Sequence, residues 1–92
     1  MRVEEAVARG ARGDIRVTGF LVGRMEGEMR LCAEVLQSYP PQCGGSSVVV
    51  RGLRRGDLAK LRADQGGLWS DGEVELAGSL ENGVLTVSAT PE

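Results

Sequence analysis

Histidine is absent, lysine occurs once, and the only aromatic residues are Phe20, Tyr39 and Trp69. Without histidine the commonest general base and the usual nucleophile triads are excluded, so acid–base chemistry would fall to carboxylates. A structural zinc site wants four nitrogen or sulfur ligands, and Cys32 and Cys43 supply two. No metal, cofactor or catalytic residue is expected. Nor does any stretch approach the roughly 18 apolar residues of a spanning helix. Arg2, Glu4, Glu5, Arg9, Arg12 and Asp14 interrupt the first part of the chain, which therefore lacks the apolar centre of an export signal.

What is present is a chain of 92 residues, the length of one domain (1–92), with a core that must be aliphatic. Eleven Lys and Arg stand against thirteen Asp and Glu, a net charge of −2. That balance argues against a nucleic-acid footprint, which needs clustered excess cation.

The clearest local signal lies near the C-terminal end. Residues 73–80 alternate, with Val74, Leu76 and Leu80 on one face and Glu73, Glu75 and Ser79 on the other; 84–89 alternate again. Asn82-Gly83 between them marks a type I′ hairpin, whose two central residues need positive φ. A second hairpin is expected from 14–22, with Ile15, Val17 and Leu21 inward, and 28–36, with Met29, Leu31, Ala33 and Val35 on one face. Residues 38–46 read as a loop, because Pro40-Pro41 cannot donate to a ladder and Gly44-Gly45 frees the backbone. Val48-Val49-Val50 is β-branched and reads as a strand over 47–52. Asp57, Leu58 and Leu61 give a short helix over 57–64, and 3–9 could add a further helical turn ahead of the first strand. Five strands with a helix between the third and fourth is the order of an all-β, OB-fold-like Greek-key barrel; an SH3-like barrel is the alternative.

Three stretches, Val17-Thr18-Gly19-Phe20-Leu21-Val22, Ser38-Tyr39-Pro40-Pro41-Gln42-Cys43-Gly44-Gly45 and Val74-Glu75-Leu76-Ala77-Gly78, resemble small uncharacterised bacterial OB-like domains, often of exported proteins or lipoproteins. The likeness covers most of the chain and implies that fold, but brings no activity. An extracytoplasmic setting, with an export segment removed, is accordingly favoured over a cytoplasmic one.

Cys32 falls on the outer face of its strand, among Glu28, Arg30 and Glu34. A loop returning over that face would bring Cys43 within bridging distance, and such a closure stabilises by about 3 kcal/mol. Two reduced, unrelated thiols are the alternative. The spacing is not that of a redox-active C-x-x-C pair.

The expected role is a non-catalytic binding module that uses the Cys32–Cys43 loop, with Tyr39, Pro40 and Pro41, and the neighbouring face of the barrel. Its partner would be a protein or a small ligand. The rival is a single-strand nucleic-acid binder using the basic stretch Arg51, Arg54, Arg55, Lys60 and Arg62 with Trp69, although such binders usually lay several aromatics along a groove. Trp69 reads first as a plug for the end of the barrel. Glu73 and Glu75 share a strand face, which a solvated outer surface explains. Val49 and Leu53, placed on the outer face of the third strand, would invite pairing between copies and a homo-oligomer.

Overall fold

The computed structural model describes residues 1–24, 27–38, 41–53 and 61–89. One helix, α1 (Val3–Arg9), precedes six strands: β1 (Gly13–Arg24), β2 (Met29–Leu36), β3 (Gln42–Arg51), β4 (Arg62–Asp64), β5 (Gly67–Glu81) and β6 (Val84–Ala89). Five of them pair in a closed circuit, β1–β2–β3–β6–β5 and back to β1, and β4 adds to the start of β5. Every junction is antiparallel except β3–β6. Parallel neighbours cannot be joined by a tight turn, so the chain passes through β4 and β5 before β6 lies beside β3. No helix among the described residues is long and apolar enough to cross a membrane.

The alternating faces at the C-terminal end fold as their pattern demands. Asn82 and Gly83 have φ of 51° and 76°, and Glu81 faces Val84 across the two-residue turn they make. Val17, Leu21, Met29, Leu31, Val48, Val50, Leu76, Leu80 and Leu85 point inward and form one aliphatic cluster. Val3 and Ala6 of α1 complete it. A helix of seven residues is marginal by itself. Burial of these two side chains holds it, with Glu4 and Glu5 in its first turn and Arg9 in its last suiting the helix dipole.

Four expectations are corrected. Arg62–Asp64 is a strand, not the end of a helix, because Gln65 and Gly66, with φ of 49° and 79°, close a tight turn between Asp64 and Gly67. The remainder of the expected helix, up to Lys60, lies outside the described residues, and the helix that is present is α1. The strand expected from 73 starts earlier, at Gly67, so that 69–72 belong to β5, whose pairing with β1 is broken there. Phe20 faces Glu73 and Val22 faces Trp69, so Leu21 alone opposes Ser70, Asp71 and Gly72. This bulge puts both Leu21 and Val22 under cover, against simple alternation. Within the expected 38–46 loop, Gln42 onward is already β3, paired with Leu36 and its neighbours. Finally, Leu53 packs against the core and is not an outer-face residue, whereas Val49 is half-buried between Arg30 and Val84 in the ladder.

Candidate ligand groove under the disulfide-held hairpin

The register of β2 and β3 places Cys32 opposite Ser47 and Val35 opposite Cys43, with a shift between Cys32 and Glu34. Four residues of straight strand would carry Cys43 about 13 Å beyond Ser47. Instead the Cα atoms of Cys32 and Cys43 are 5.6 Å apart and their sulfurs stand at disulfide distance, 2.06 Å. The hairpin is therefore bent back on itself. Gly45, at φ 67°, lies in the bend, where the left-handed backbone is open to glycine at little cost. Its absent side chain also leaves room: a Cβ there would approach the Ala33 Cβ to 3.3 Å.

Folding back covers the outer face of β1 and β2. Cys32 is 0% exposed, although it stands apart from the main aliphatic cluster, and Val22 beside it in the sheet is buried too. This is the returning loop expected from the cysteine positions. Between the bent hairpin and the sheet a cavity of about 620 Å³ remains. Its roof is Pro41, Gln42 and Cys43, and its floor is Val22, Gly23, Arg24, Glu28 and Arg30, closed at one side by Gln65 and Gly67. Pro41 also borders a second cavity, of about 490 Å³, with Arg62, Ala63 and Trp69.

Two arginines here, Arg30 and Arg62, are held by partners. Arg30 donates from Nε to Glu28 Oε2 at 2.9 Å and from Nη1 to Ser47 Oγ at 3.0 Å. Arg62 Nη1 donates to Asp71 Oδ1 at 3.2 Å, and Asp71 is thrown outward by the β5 bulge. The bulge is itself secured by Ser70. Its Oγ accepts the Leu21 N–H at 3.0 Å and donates to the Gly72 carbonyl at 2.6 Å.

Of the residues singled out from sequence, Pro41, Cys43, Arg62 and Trp69 come together. Trp69, expected first as a plug for the end of the barrel, stands outside the core cluster, half-buried, opposite Val22 and Arg62 in the ladders. Leu68 and Ser70 take the inward positions on either side of it. Arg51, exposed at the end of β3 opposite Thr86, does not line either cavity. Tyr39, Pro40, Arg54, Arg55 and Lys60 lie outside the described residues. Arg24 and Gln65 carried no signal in the sequence, and Gln42 stood there only as part of the Ser38–Gly45 stretch. Arg30 and Glu28 were within reach of sequence reasoning, since they share the strand face of Cys32 and would be roofed by whatever bonds to that sulfur.

Glu73 and Glu75 are each met by an arginine: Glu73 by Arg2, and Glu75 by Arg16 Nη1 at 3.6 Å. Arg2 also donates from Nε to Glu4 Oε1 at 2.8 Å. That hydrogen bond, aided by one from backbone, holds the Glu4 carboxyl below the ordinary glutamate range. Among the described residues no three His, Cys, Asp or Glu side chains gather as a metal site would need. Comparison with protein-family models, curated proteins and solved structures returns no match for the chain.

Proposed function

We propose that this chain is an OB-type barrel acting as a non-catalytic binding module of a bacterial, extracytoplasmic protein, with its ligand seated under the bent β2–β3 hairpin. The closed five-strand circuit and its parallel β3–β6 junction support the OB reading over an SH3-like one. The cysteine pair supports an oxidising compartment. One observation carries the functional reading: the disulfide-held hairpin overhangs an open groove against the sheet, and Pro41 borders both this groove and a second one. Ligand sites are concave, of some hundreds of Å³, and largely pre-formed. A covalently held roof loses little entropy when a ligand enters.

The test is to titrate the ¹⁵N-labelled protein with a library of small polar fragments and short peptides. Ligands that bind should shift the amides of Arg24, Arg30, Gln42 and Trp69 together. Shifts that cluster elsewhere, or none up to millimolar concentration, would refute the proposal. Tyr39→Ala should weaken capture of such ligands while sparing the fold.

The rival reading, single-strand nucleic-acid binding, is favoured by one observation, Arg62 opposite Trp69 in the β4–β5 ladder. It predicts saturable binding of an oligothymidylate at low salt, where phosphate contacts are strongest.

A further inference from the structure

We infer that the ligand of the groove is an extended acidic peptide segment whose carboxylates are spaced apart. The inference rests on the binding reading above and adds the chemistry of the occupant. The chain as a whole is acidic, at −2, yet among the described residues three arginines and one carboxylate line the two cavities that share Pro41: Arg24, Arg30 and Arg62 against Glu28, with Asp71 alongside on Arg62. Arg30 is locked by Glu28 and Ser47, and Arg62 is held by Asp71. The Arg24 guanidinium has no ion pair or hydrogen-bond partner among the described residues. An anion on the floor of the first cavity would meet Arg24 free and Arg30 already oriented. A second anion beyond Pro41 would meet Arg62.

The spacing of charge decides between polymers. A nucleic-acid strand carries a phosphate at every nucleotide, so it would have to pass Glu28 and Asp71 with a negative charge facing each. A peptide can place a neutral residue at those points and a carboxylate at the arginines. Gln42 and Gln65, which offer both donors and acceptors, suit a peptide backbone. Pro41, an apolar residue between the two cavities, suits an uncharged stretch. One tryptophan is also too little for the stacking on which unspecific single-strand binding depends.

Trp69, the single tryptophan, makes the test direct. Its emission is followed as the oxidised protein is titrated, at low and moderate salt, with a short peptide alternating glutamate and glycine. The same peptide with glutamine for glutamate, and an oligothymidylate of similar length, are run alongside. A saturable response to the acidic peptide, weakened by salt, is expected. Arg24→Glu should weaken it roughly fivefold, since an exposed attraction becomes a repulsion, and Glu28→Gln should strengthen it. Both are surface changes, and unchanged circular dichroism with no free thiol confirms the fold. A stronger response to the oligothymidylate, or an acidic-peptide affinity indifferent to Arg24→Glu, overturns the inference. If only the neutral peptide binds, the acidic inference falls while the binding reading stands. If nothing moves Trp69 or the groove amides, both fall.

Discussion

Leu21 sits where one residue of β1 faces three of β5, and its N–H would be stranded without the Ser70 hydroxyl. A buried donor left without a partner costs about 1–3 kcal/mol. Ser70→Ala should therefore lower the unfolding free energy by an amount in that range, read as a lower urea midpoint with an unchanged slope. A shift below about 0.5 kcal/mol would mean that water replaces the hydroxyl. In α1, Glu4 gives a pH signature. Its carboxyl is held low by Arg2, so its contribution is present in full above the ordinary glutamate value and is lost as pH falls through the lowered one. Glu4→Gln should remove that part of the acid-side decline in melting temperature and leave the neutral-to-alkaline side parallel to the parent. Thermal melts across the acid range check it.

At the scale of elements the bent hairpin is the feature to perturb. Thiol titration of the denatured, unreduced protein should find no free cysteine. Replacing both residues, Cys32→Ala with Cys43→Ala, should cost about 3 kcal/mol. It should also raise hydrogen exchange in 41–47 well before β5 and β6 are affected. Gly45→Ala, with the bond intact, should cost about 1–2 kcal/mol by forcing a side chain into the left-handed region. The same elements show what was legible from sequence. The β5–β6 hairpin could be read because alternation and Asn82-Gly83 are local and agree. The helix expected over 57–64 failed at Arg62–Asp64 because Leu58 and Leu61 are too short a period to weigh against a Gln65-Gly66 turn. The groove was only half legible. The cysteines and Pro41 marked its roof, but its floor depends on a bend set by Gly45 and by a register shift, and neither leaves a periodic trace.

For the whole molecule, one cluster, aliphatic among the described residues, bears most of their apolar burial, and α1 shares in it through Val3 and Ala6. A single core predicts a single transition. Leu85, 0% exposed at the centre of that cluster, should cost about 2–5 kcal/mol when cut to alanine. Far-UV dichroism and Trp69 fluorescence should then fall together at a lower midpoint. Protection of the α1 amides should collapse at the same denaturant concentration as that of β1. If α1 melted first, its two buried side chains would be doing less than their position implies.

The circuit of strands is closed between β3 and β6 by three facing pairs, Val49 to Arg51 with Val84 to Thr86, helped by the Val49 N–H to the Gly83 carbonyl at 2.9 Å. During synthesis those partners leave the ribosome far apart in time. Helix α1 and the first three strands emerge as a piece that can pair locally before β6 exists. Until β6 arrives, the nascent chain carries the Val48–Val50 edge of β3 uncovered. That interval, rather than the finished fold, is when this protein is most exposed to mispairing with another copy.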